Sequence, residues 1–130
     1  MSDPLARIDA SKLDPDFHAM LLGLLGAVAA HGQTFVATYG YRSLEEQRDL
    51  YVKYQAGGPR AAPPGKSAHN YGAAADLVRI VNGKADWQPG DYALLADLAP
   101  RYRLTTGAPY QDYGHVELEG WKSLAGPVDG

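Results

Sequence analysis

The chain has 130 residues, a formal net charge of -3, 45% hydrophobic and 21% charged residues, and no cysteine. That length supports one domain with a real core over residues 1–130, without room for a separate binding module. The acidic balance disfavours nucleic acid, the lack of any ~20-residue apolar run argues against membrane insertion, and the absence of cysteine leaves only His and carboxylate to hold a metal.

Met1 to Ala10 carries Asp3 and Asp9 and lacks the basic-then-apolar pattern of a secretory signal. The expectation is a protein made in the cytoplasm without an export signal, which reaches any external substrate through another factor. Asp14, Pro15 and Asp16 form a helix start, and Phe17, Met20, Leu21, Leu24, Leu25 and Val28 recur at helical spacing up to Gly32. Thr34 to Tyr39 then reads as a strand, broken by Gly40.

Ser43 and Glu46 form a capping box that opens a second helix, whose apolar stripe runs Leu44, Leu50, Tyr51 and Tyr54. Gln47 falls on that stripe, so it needs a polar partner, because an unpaired buried amide costs roughly 1–3 kcal/mol. Arg42, just before the helix, is the nearest candidate. Ala56 to Gly65 reads as the only long loop, and Ala73 to Val81 as a strand followed by an Asn82-Gly83 turn. Asp91 to Ala99 predicts a third helix, capped by Asp91 and halted by Pro100, and Tyr102 to Thr106 and Tyr113 to Leu118 predict two further strands. Helices interleaved with short strands give an α+β domain with helices packed on a small, mainly antiparallel sheet.

Two stretches are dense in His, Asp, Glu, Gly and Tyr: Ser67 to Asp76 and Asp112 to Glu117. A zinc ion that catalyses hydrolysis needs three neutral-imidazole or carboxylate ligands and one open position, and His69, Asp76 and His115 supply that set. His115 and Glu117 are two apart on a strand and share a face, so one can ligate while the other supports it. Asp112 lies at an odd offset from His115, so acting at the metal requires it to sit in a loop or bulge before the strand. There it would take a proton from the zinc-acidified water as general base, with Arg42 placed where the oxyanion develops. Taken singly, each of these residues also has a structural reading. Arg42 could serve a surface ion pair, Gln47 could bind backbone carbonyls, and Tyr71, Tyr110 and Tyr113 read as packing before substrate contact. His18 and His31 lie on and just after the first helix and are left out of the site.

Together these motifs resemble the zinc D-alanyl-D-alanine carboxypeptidase and dipeptidase family, and within it the L-alanyl-D-glutamate endopeptidases used as phage endolysins. Ser67-x-His69-x-x-Gly72-x-Ala74-x-Asp76, Asp112-x-x-His115 and Tyr41-Arg42-Ser43-x-x-x-Gln47 look like three ordered family motifs, and the likeness runs from about Lys12 to Glu117. Val116 stands where the family often has Phe, and Asp112 where some branches have Glu. The resemblance implies one catalytic zinc ion, bacterial peptidoglycan as partner, a D-Ala-D-Ala peptidase or hedgehog-like α+β fold, and bacteriolytic cleavage by a monomer. Ser67, Gln47 and Glu117 are expected around the site. The alternatives are D-alanyl-D-alanine carboxypeptidase or dipeptidase activity and, from another class, a non-enzymatic wall-binding module with zinc.

Overall fold

The computed structural model describes residues 3–125. Helix α1 (Pro15–Ala30) begins as its sequence requires: the Asp14 carboxylate accepts from the Phe17 amide at 3.0 Å, and Pro15 occupies the first turn, where its missing N–H costs nothing. It stops before Gly32, which takes the left-handed φ of 83°. Strand β1 (Thr34–Tyr39) follows, then α2 (Leu44–Gln55) behind the Ser43–Glu46 capping box.

The remaining strands are β2 (Ala74–Val81), β3 (Lys84–Asp86), β4 (Leu104–Gly107) and β5 (Asp112–Leu118). All pairings are antiparallel, in the order β1-β2-β5-β4, with β3 beside the far end of β2. Asn82 and Gly83 both take positive φ, the geometry of a two-residue hairpin turn, and so create β3. Helix α3 is shorter than expected, Ala93–Leu98. Asp91 does not cap it but lies in a 3-10 turn (Pro89–Tyr92), and Pro100 does not halt the chain but opens another (Ala99–Tyr102), because a proline in a first turn loses no hydrogen bond. Tyr102 belongs to that turn and not to β4.

Phe17, Leu21, Leu24, Leu25 and Val28 of α1 and Leu95 and Leu98 of α3 bury against Phe35, Ala37, Ala75, Leu77, Leu104 and Val116 of the sheet. Each of the Phe, Leu and Val side chains among them contributes roughly 1.5–3 kcal/mol relative to exposure. Alternation fixes the opposite consequence: with Ala75, Leu77 and Val116 in this core, Asp76 and His115 turn to the other face of the sheet. Helix α2 departs from its expected packing. Leu44 and Tyr54 are exposed and Leu50 and Tyr51 half-buried, leaving Gln47 as its one buried residue, so the helix walls a cleft rather than the core. Among the described residues no helix is long and apolar enough to cross a membrane.

Candidate metal centre

Asp76 and His115 are directly opposed partners across β2 and β5, which places their side chains together on the open face. His69 comes from a 3-10 turn (Ala68–Tyr71) that lies over that face and is capped by Ser67, whose hydroxyl accepts from the His69 amide at 3.3 Å. The turn ends at Gly72, with φ of 67°; a Cβ there would lie 2.4 Å from the Lys12 carbonyl oxygen. Glycine is therefore required twice over, by backbone conformation and by the chain crossing beneath it. Ala74 is fully buried, so its small size is also a packing demand.

One ligand atom from each of His69, Asp76 and His115 lies within 4.8 Å of the others. Their hydrogen bonds define which atoms face inward. His69 Nδ1 lies 2.7 Å from the Gly40 carbonyl, which can only accept, so Nδ1 carries the proton and Nε2 presents a lone pair 3.5 Å from Asp76 Oδ1. His115 Nε2 lies 2.7 Å from Glu117 Oε1, and Glu117 Oε2 accepts from the Trp121 indole at 2.7 Å. The proton on His115 therefore belongs on Nε2, and Nδ1 faces Asp76 Oδ1 at 3.1 Å.

Two imidazole lone pairs and a carboxylate oxygen repel unless a proton or a cation sits among them. Without a metal, a proton can fill that place. Burial would lower the His115 pKa, but the hydrogen bonds and charges of Asp76 and Glu117 raise it to about 9. Burial likewise pushes the Asp76 carboxyl up, and His115 and His69 outweigh it, holding the group well below the ordinary carboxylate range. Glu117 is lowered chiefly by its hydrogen bond from His115, against burial. This donor set, all nitrogen and oxygen with supported imidazoles, fits a divalent zinc ion.

The flanking groups share one cavity of about 480 Å³, lined by Arg42, Gln47, Ser67, Asp112 and the three clustered residues. Arg42 Nη1 donates to Gln47 Oε1 at 2.9 Å, and Gln47 Nε2 donates to the Ala62 carbonyl at 2.7 Å, so both ends of the buried amide are satisfied. The guanidinium also stacks on Tyr39, 4.7 Å from its ring centroid, while Arg42 Nε is buried without a partner among the described residues. Asp112 is exposed at the start of β5. The ladder changes register there, from Thr106 opposite Val116 to Gly107 opposite Asp112, so a bulge separates Asp112 from His115.

Several residues at the centre escape sequence reasoning. Asn70 donates to the Arg42 carbonyl at 3.0 Å and accepts from the Gly65 amide at 3.0 Å, tying the arginine segment to the His69 turn. Its place inside the Ser67–Asp76 stretch was the available signal. Trp121, four residues past Glu117, and the Gly40 carbonyl had none. Tyr71 stacks on Trp121 and Tyr113 packs against the core, but Tyr110 is 85% exposed, so its reading as a packing residue is corrected: it rides a short turn (Ala108–Tyr110) that joins β4 to β5.

Residues 10–122 match the family model of VanY, D-alanyl-D-alanine carboxypeptidase. Among solved structures, the chain is similar to the Serratia marcescens L-Ala D-Glu endopeptidase ChiX, at 23% identity and a TM-score of 0.65, covering 87% of this chain and 86% of that one. It is similar to the vancomycin resistance D,D-pentapeptidase VanY from a VanB-type cassette in complex with Zn(II), at 20% identity and a TM-score of 0.63, covering 86% and 75%. The LdcB LD-carboxypeptidase is similar at 20% identity with a TM-score of 0.67, covering 86% and 61%. At these identities the likeness establishes the shared fold. The comparison with curated proteins gives no match.

Proposed function

The chain belongs to the VanY D-alanyl-D-alanine carboxypeptidase family of peptidoglycan-acting metallopeptidases, and from that premise we propose that it is a zinc-dependent endopeptidase cutting the L-alanyl-D-glutamate bond of the stem peptide. The observation that carries the zinc chemistry is the convergence of His69 Nε2, Asp76 Oδ1 and His115 Nδ1, three acceptors turned on one point. His69, Asp76 and His115 would hold the zinc ion, which would supply Lewis acidity toward the scissile carbonyl and the attacking water. Asp112 accepts the water's proton at a carboxylate oxygen and later returns it to the leaving amine. Arg42, fixed by Gln47 and Tyr39, holds its charge where the carbonyl oxygen becomes negative. Ser67 keeps the His69 turn in place, and Glu117 fixes the His115 tautomer.

Internal cleavage is favoured over trimming of a chain end because a second cavity, of about 420 Å³ beside Trp87, shares Asp76 and Asp112 with the one beside Arg42. A peptide can continue in both directions. The competing reading, D-alanyl-D-alanine carboxypeptidase, is favoured by the family model and by Arg42, Lys53 and Arg60 lining one side, where a terminal carboxylate would be welcome. Mass spectrometry of sacculi digested by the zinc-loaded protein separates the two. Release of stem peptides beginning at D-glutamate supports the endopeptidase, and loss of terminal D-alanine alone sinks it. A lysin role belongs to the same proposal and is read as falling turbidity of a sacculus suspension. Replacing His69 or His115 by Ala should abolish stoichiometric zinc, and unchanged metal content would overturn the ligand assignment.

A further inference from the structure

The two cavities share Asp76 and Asp112 and no other lining residue. The first is lined by three cations, Arg42, Lys53 and Arg60. The second has no Lys or Arg in its lining and is bordered by Trp87, Tyr92 and Tyr113. Trp87 is 71% exposed, a large apolar surface left in water at the mouth of a cleft. Its backbone is nevertheless held on both sides: Tyr92 donates its hydroxyl to the Asp86 carbonyl at 2.8 Å, and the Gln88 amide donates to the Asp86 carboxylate at 3.0 Å. Tyr92 in turn is buried and accepts from the Arg79 amide at 3.2 Å. The indole is thus carried on a pinned turn, ready to receive a flat apolar face.

The substrate has the same asymmetry. Resting on the endopeptidase reading above, the bond between L-alanine and D-glutamate has free carboxylates on its C-terminal side and, on its N-terminal side, the muramic acid whose lactyl group acylates L-alanine. We propose that Trp87 forms a subsite for the muramoyl sugar, its indole stacked on the C–H face of the pyranose, while Lys53 and Arg60 receive the carboxylates across the metal centre. Stacking on an aromatic face suits a neutral ring, and cations suit the carboxylates, so each half of the cleft fits one half of the substrate. The chain direction across His69, Asp76 and His115 follows from that match.

The test uses the zinc-loaded full chain with two probes. The first is N-acetylmuramoyl-L-alanine, titrated while the Trp87 indole N–H resonance is followed by NMR, with N-acetyl-L-alanine as control. A shift with the sugar and none with the control supports the subsite; no shift, or equal shifts, overturns it. This readout needs no cleavage, so it stands even if the L-alanyl-D-glutamate bond proves not to be the one cut. The second is the ratio of kcat/KM for a muramoyl peptide over the same peptide without sugar. A wild-type preference of about tenfold, collapsing toward one in Trp87→Ala and partly kept in Trp87→Phe, is expected. Equal rates in the wild type, or a ratio unmoved by Trp87→Ala, overturns the proposal.

Discussion

At the scale of single residues, the site depends on which atoms are left without protons. Glu117 is not one of the three ligands, yet it decides that His115 turns Nδ1 toward Asp76, because a carboxylate 2.7 Å from Nε2 can only accept. Glu117→Gln keeps an acceptor but removes the charge, so zinc affinity should fall about 10–100-fold with stoichiometry retained, measured by chelator competition. Asp112 stands outside the ligand cluster. Asp112→Asn should therefore lower kcat by about 10²–10⁴-fold while leaving zinc content at one per chain, and a parallel loss of metal would show that it ligates instead. The glycine and alanine of the Ser67–Asp76 motif carry no chemistry: Gly72 lets the Lys12–Asp14 segment pass beneath the His69 turn, and Ala74 fits a closed space.

At the scale of elements, α2 and β5 place the groups that act on substrate. Helix α2 buries little besides Gln47, so it relies on its ends more than on a packed face. The Ser43 hydroxyl accepts from the Glu46 amide at 3.1 Å while Glu46 reaches back to the Ser43 amide at 3.1 Å. Ser43→Ala should cost about 0.5–2 kcal/mol in chemical denaturation, and should loosen Arg42 through Gln47, seen as a larger loss in kcat than in KM. In β5, Gly114 passes so close to β2 that a Cβ would stand 2.0 Å from the Leu77 carbonyl oxygen, where nothing can fit. Gly114→Ala must push the strands apart beside His115, so it should weaken both zinc binding and thermal stability, whereas Gly90→Ala, with open space around its Cβ position, should change neither.

At the scale of the whole molecule, the acceptors gathered on one face of the sheet make stability depend on pH and on metal together. His115 titrates at about 9 in the metal-free fold, against an ordinary 6.5, so its contribution is complete below about pH 6.5 and is lost as pH rises through 9. Asp76 and Glu117 are lowered, so theirs is present above about pH 4.5 and lost on acidification. Metal-free protein should therefore be most stable near pH 5–6.5 and melt earlier toward pH 9 by calorimetry; zinc takes the proton's place, so the zinc-loaded protein should not show the alkaline fall. Parallel curves would refute this linkage. Much of the fold was legible in the chain: α1, β1 and the capping box are written in local chemistry, as caps and periodicity act within a few residues. Composition alone confined any metal to His and carboxylate, and spacing put His115 and Glu117 on one face. Only the tertiary structure decided that α2 walls a cleft, that Asp76 and His115 oppose each other, and that a charged cavity and an aromatic one meet at Asp112. Those facts depend on strand register and on segments distant in sequence coming together, which no local pattern encodes.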